Sequence, residues 1–196
     1  MDIYQVRLTF SEPLLGTVPL DREVYTTYVK SLGKNNDDEG ETLPDVDGLI
    51  EKGTTGFHEQ DGKPILYDYA IKGFFKDVCS MLRYDSNSRS AGIKNYKKAI
   101  DGLVFVYPRQ IPIELAGETF VVERPLRAQT ARGERVALSR SIAVPAGSSL
   151  AFEIQVIAVV SQPLLEEWLM YGRFRGLGQW RNGGYGRFEY TLKKQS

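Results

Sequence analysis

The chain opens on alternation. In Ile3-Tyr4-Gln5-Val6-Arg7-Leu8-Thr9-Phe10, Val6, Leu8 and Phe10 fall on one side, and a period of two predicts a half-buried strand. Asp21 is placed to cap a short helix through Tyr28 and Leu32, ended by Gly33, and Asp45 to Lys52 reads as a further helical turn or two. Thr54 to Tyr67 has the pattern of a hairpin, with Asp61-Gly62 as its turn residues. Then the period changes. Tyr69, Phe74, Phe75, Val78, Cys79 and Leu82 recur at helical spacing and predict an amphipathic helix over Tyr67 to Arg83. A second, basic helix is expected from Gly92 to Ile100, carrying Lys94, Lys97 and Lys98.

After Asp101 the pattern turns to strands. Leu103-Val104-Phe105-Val106, Phe120-Val121-Val122, Glu134 to Val144 and Ser149 to Val160 are joined by turn signals at Arg132-Gly133 and Pro145-Ala146-Gly147. Pro163 begins a helix with apolar face Leu164, Leu165, Trp168 and Leu169. A glycine-rich segment runs from Gly172 to Gly186, and Phe188, Tyr190 and Leu192 share one face of a last strand. Strand, long insert, helix, strands, helix, strand is the order of an α+β, ferredoxin-like β-α-β-β-α-β core with large insertions. We expect a single domain, 1–196, in which 11–65 form an insertion containing an acidic loop.

Composition narrows the chemistry. Hydrophobic residues make up 42% and charged residues 26% of the 196, which suits a folded protein and excludes disorder as the main state. Lys plus Arg and Asp plus Glu both number 25, so no whole-protein field attracts a polyanion, and any nucleic-acid binding must use a local patch. Such patches exist. Residues 1–60 carry 5 basic and 12 acidic side chains, a net of −7, whereas 61–196 carry 20 and 13, a net of +7. Asn35 to Gly48 concentrates the acids in what reads as a solvated loop. A single cysteine, Cys79, leaves no internal disulfide, and one histidine, His58, leaves little for a metal site or a catalytic triad. No metal or cofactor is expected. The opening residues do not read as a signal peptide and no apolar run reaches bilayer length, so a cytoplasmic protein is expected.

The candidate chemistry gathers in two arginine-bearing segments. Gly172 to Arg187 combines Arg173, Arg175, Arg181 and Arg187 with Trp180 and Tyr185, among glycines that permit close backbone approach. Arginine forks match phosphate oxygens, and aromatic planes stack on bases. The segment lies between a helix and a strand and lacks Gly-Lys-Ser/Thr, so it is neither a P-loop nor a dinucleotide fingerprint. Arg124 to Arg135 carries four arginines with Gln129 and Thr130, a loop composition suited to phosphate contact as much as to a plain exposed hairpin tip. Cys79 falls on the apolar face of its helix and reads as core.

The helix, the loop GLGQWRNGGYGRF (Gly176 to Phe188) and the terminal strand resemble the signature of the RAMP superfamily of CRISPR-associated proteins. Pro64 to Lys76, with the Lys72-Gly73 pair after an apolar residue, is similar to the segment entering that superfamily's first core helix. The resemblance implies an RRM-related, RNA-binding core with a C-terminal glycine-rich loop. The segments Leu66 to Asp77, Arg124 to Ser141 and Arg175 to Asn182 also resemble a family of short bacteriophage and prophage proteins, which brings no activity with it. Together these readings give non-catalytic binding of single-stranded nucleic acid, RNA more than DNA, through Lys72, Arg127, Arg132, Arg175, Trp180, Arg181, Tyr185 and Arg187. Two alternatives stand beside it: an interaction protein that inhibits or mimics a host defence component, and a metal-independent endoribonuclease using His58. His58 lies beside a turn, away from both motifs, and has no evident acid partner, so no catalytic residue is assigned.

Overall fold

The computed structural model describes residues 1–20, 54–130, 133–157 and 160–195, and within these the side chains of all but 126–130 and 133–137. The expected helices at Asp21 to Gly33 and Asp45 to Lys52, the acidic loop and Arg132 lie outside the described residues. The core is the expected α+β unit. Strand β1 (Asp2–Phe10) buries Tyr4, Val6, Leu8 and Phe10 and exposes the residues between them, as its alternation requires. Helix α1 (Asp68–Leu82) buries Ile71, Phe74, Phe75, Val78 and Cys79, and α2 (Tyr96–Leu103) follows after a short 3-10 turn at Arg89–Gly92.

Three further core strands complete the sheet: β7 (Val104–Tyr107), β11 (Ser149–Val156) and β12 (Phe188–Lys194). In it β12 pairs with β1, β1 with β11 and β11 with β7, every pair antiparallel. Numbered within the core, the order is fourth, first, third, second, which is the ferredoxin-like arrangement. Helix α3 (Gln162–Arg175) packs beside α1, with the Phe75 and Trp168 rings 5.3 Å apart. Trp168 is fully buried, and its indole N–H donates to Ser90 Oγ at 2.9 Å, so the largest core side chain leaves no polar atom unsatisfied.

Two additions flank the core. Strand β8 (Gln110–Glu114) continues along β11 beyond β7, and β6 (Lys63–Tyr67) and β5 (His58–Gln60) extend it outward. The β5–β6 hairpin turns at Asp61 and Gly62, both at positive φ, as the Asp-Gly pair predicts. The second addition corrects the sequence reading. Arg124 to Thr130 and Gly133 to Arg135 are strand, not loop: β9 (Phe120–Thr130) and β10 (Gly133–Val144) form one antiparallel ribbon, paired from Phe120–Ala143 to Thr130–Gly133. They belong to a separate sheet, in which β10 also pairs with β2 (Leu14–Leu15) and β4 (Thr54–Gly56), and β4 with β3 (Val18–Pro19). The strand expected to run to Val160 ends at Val156.

Candidate nucleic-acid interface

The glycine-rich connection begins where α3 stops. Gly176 takes φ +74°, and its N–H closes the helix on the Gly172 carbonyl at 2.9 Å. The connection then narrows to a neck. Leu177 N–H donates to the Gly186 carbonyl at 2.9 Å and Gly186 N–H to the Pro13 carbonyl at 2.8 Å. A Cβ on Gly186 would stand 1.9 Å from the Leu177 carbonyl oxygen, and one on Gly176 2.4 Å from that of Tyr185. These glycines admit the chain's own backbone, not a ligand. Gly183 and Gly184 differ: a Cβ there meets nothing nearer than 3.5 Å and 3.6 Å. They line an open depression of about 480 Å³ with Asn182, Tyr185, Arg187 and the carboxylate-bearing Glu12.

The loop is held from two sides. On one side Asp77, on α1, receives Arg175 Nε at 3.0 Å and Arg181 Nη1 at 2.6 Å, while Arg175 Nη1 donates to Asn182 Oδ1 at 2.8 Å. The bond to Asp77 raises the Arg175 pKa, the carboxylate favouring the charged guanidinium. On the other side Gln179 Nε2 donates to the Gly16 carbonyl and, at 2.7 Å, to Thr55 Oγ1, whose oxygen lies 2.7 Å from Oγ of buried Ser141. Helix and second sheet thus clamp the connection between them.

What remains for a ligand is a small cationic and aromatic face. Trp180, half-buried at φ +51°, meets Tyr185 edge to face at 5.9 Å, and the Arg124 guanidinium from β9 lies 5.2 Å from its ring centroid. Arg187 is exposed, its Nε donating to the Phe174 carbonyl at 3.1 Å. Of the residues singled out from the sequence, Arg175, Trp180, Arg181, Tyr185 and Arg187 therefore share one connection. Lys72 does not join them. It donates to the Asp101 carbonyl at 3.0 Å and lies over the Phe105 ring at 5.6 Å, towards α2 and β7. Arg127 lies on β9 opposite Val136. Arg173, also in the segment, pairs with Glu189 at 2.9 Å.

Sequence reasoning passed over Asp77, Gln179 and Arg124 as site residues. Only Arg124 left a signal there, as the first arginine of the ribbon segment. His58 stands apart, its ring edge-on to Tyr67 at 4.8 Å and its Nε2 3.4 Å from the Tyr69 hydroxyl. Among the described residues no group of three metal-ligating side chains occurs, and no helix is long and apolar enough to cross a membrane.

No protein-family model and no curated protein sequence matches the chain. Solved structures do. A chain of the cryo-EM structure of the Type III-B Cmr-beta bound to cognate target RNA superposes with a TM-score of 0.55 at 16% identity, covering 98% of this chain. The present chain spans 60% of that one. A chain of a Type IV-B CRISPR complex gives a TM-score of 0.48 at 12% identity, with 97% and 90% of the two chains covered. The first likeness is one of fold, and it agrees with the ferredoxin-like order of the core strands.

Proposed function

We propose that the chain is a RAMP-like protein that binds single-stranded nucleic acid, RNA in preference to DNA, without cleaving it. The observation that supports this most is the Arg124–Trp180–Tyr185 cluster beside the open Gly183–Gly184 backbone and exposed Arg187. A base stacks on the aromatic planes, Arg124 and Arg187 take phosphate oxygens, and the two glycines leave room for the sugar-phosphate chain. Arg175 and Arg181 act as positioning residues, because both are held by ion pairs to Asp77.

A second reading, a phage-type protein that stands in for or blocks a subunit of a defence assembly in the host cytoplasm, draws on those same ion pairs. Asp77 and Glu189 pair with three of the segment's arginines and cancel two of their three positive charges, which leaves a modest field for a polyanion. Electrophoretic shift of mixed single-stranded oligonucleotides over a salt series separates the two. Shifted, intact RNA at low salt supports binding; free RNA at every salt concentration favours the protein partner; fragments lost with His58→Ala restore the nuclease alternative.

A further inference from the structure

Away from the glycine-rich face, the rings of Tyr67 and Tyr69 stack at 5.3 Å with 10° between their planes. Tyr69 is 58% exposed, so this is a surface stack and not part of the core. A lone exposed tyrosine means little. Here, however, three contacts from two residues fix the pair. His58 packs edge-on against Tyr67, its Nε2 reaches the Tyr69 hydroxyl, and Gln110 Nε2 donates to the Tyr67 hydroxyl at 3.3 Å. Neither tyrosine caps α1 with its side chain, so helix termination does not account for the arrangement.

The surroundings point to a ligand with planar and anionic parts. Tyr67 borders a depression of about 590 Å³ that also presents Gln60, exposed Arg109 and Gln110. Tyr69 borders a second, narrower groove of about 260 Å³, which follows α1 past Ala70 and Gly73 to Asp77 and Arg181. A Cβ on Gly73 would meet nothing within 4 Å, so the groove is open at that point. The groove therefore connects the tyrosine stack to the clamp of the glycine-rich loop. The eight helix steps from Tyr69 to Asp77 amount to about 12 Å, the length of roughly three or four stacked nucleotides at about 3.4 Å each.

We infer that Tyr69, backed by Tyr67 and His58, is a second base-stacking site on the strand that the glycine-rich face holds, with Arg109 and Gln110 meeting its phosphate and base edge. This rests on the single-strand reading above. An aromatic pair already locked in plane loses little freedom when a base joins it, and one base on an aromatic ring is worth about tenfold or more in affinity.

The test is a double-mutant cycle with labelled single-stranded RNA of about 16 nucleotides, the upper end of what one single-strand-binding module covers. Tyr69→Leu, Trp180→Leu and the double variant are compared by anisotropy after melting curves confirm that each folds. Each single change should weaken binding about tenfold and the pair about a hundredfold, because separated contacts add. Tyr69→Phe, which keeps the stacked ring and loses only the His58 contact, should bind far better than Tyr69→Leu. Unaltered affinity in Tyr69→Leu beside a weakened Trp180→Leu would overturn this site and leave the proposed function standing. A double variant no weaker than the worse single would also overturn it, as one shared site. RNA that fails to bind the unmodified protein would remove both.

Discussion

Asp77 and Arg181 meet at 2.6 Å across the gap between α1 and the glycine-rich connection, and Arg175 closes on the same carboxylate oxygen at 3.0 Å. About a quarter of each of these side chains is exposed, so the ion pairs are partly withdrawn from water. One acid on the first core helix thus spends two of the arginines that the composition of the loop offers to a polyanion. The loop gains a fixed shape, and in the proposed binding mode the ligand-facing charge passes to Arg124 and Arg187.

This division of labour is measurable. Asp77→Ala strands two half-buried guanidinium groups and should cost about 2 kcal/mol, roughly 4–8 °C in melting temperature. Arg175→Ala should also lower the melting temperature yet leave the salt slope of RNA binding unchanged. Arg187→Ala should do the reverse, flattening the slope by about 0.7 while the melting temperature holds. Equal flattening by both arginine variants would make Arg175 a phosphate contact after all.

Gly186→Ala should destabilise the fold by at least about 2 kcal/mol, read as a lower urea midpoint with unchanged slope. Its φ of +70° disfavours an L side chain, and the added Cβ would collide with the Leu177 carbonyl at the neck. Gly184→Ala, although also at positive φ, meets only the Arg187 guanidinium at 3.6 Å and should cost less.

How much of this was legible before the fold depends on the kind of signal. Core strands and helices announced themselves because burial repeats every two or every 3.6 residues, as in Val6-Leu8-Phe10 and in Phe74-Phe75-Val78-Cys79. Strand β8 stayed hidden because exposed Pro112 interrupts it, although Ile111 and Ile113 on either side are buried. The two-residue strands β2 and β3 carry no period at all; β10 and β4 define them by pairing. The loop's composition was read correctly as arginine, glycine and aromatic, but which arginine faces outward depends on Asp77, about a hundred positions away in the chain. No spacing rule encodes that contact. Lys72 shared the motif of the first helix with Asp77, yet engages Asp101 and Phe105 instead.

Cys79 should resist modification in the folded protein. It is fully buried on α1, and burial pushes its thiol pKa up, so the reactive thiolate is scarcer than for a free cysteine at neutral pH. A colorimetric thiol reagent should react slowly without denaturant and fast in its presence. Rapid native reaction would contradict the packing of α1 against Trp168 and its neighbours.

We also propose that 1–196 is one domain into which 11–65 are inserted. The described ends of that insertion are both attached to the body, Leu14 and Leu15 through β10 and Lys63–Tyr67 through β8. Limited proteolysis should cut first within Asn35 to Gly48, and the nicked pieces should stay associated on a sizing column. Early cleavage near the chain's middle into two separately stable halves would contradict it.

The central claim is that the face built by Arg124, Trp180, Tyr185 and Arg187 holds single-stranded nucleic acid. Its most direct measurement is an anisotropy titration of labelled single-stranded RNA with the unmodified protein and with Trp180→Leu, over a series of salt concentrations, each protein checked by its melting curve. The account predicts saturable binding that weakens with salt, and a loss of about tenfold or more in a Trp180→Leu variant that remains folded. Equal affinity for RNA in the two folded proteins, or no binding by the unmodified protein at the lowest salt, would contradict it.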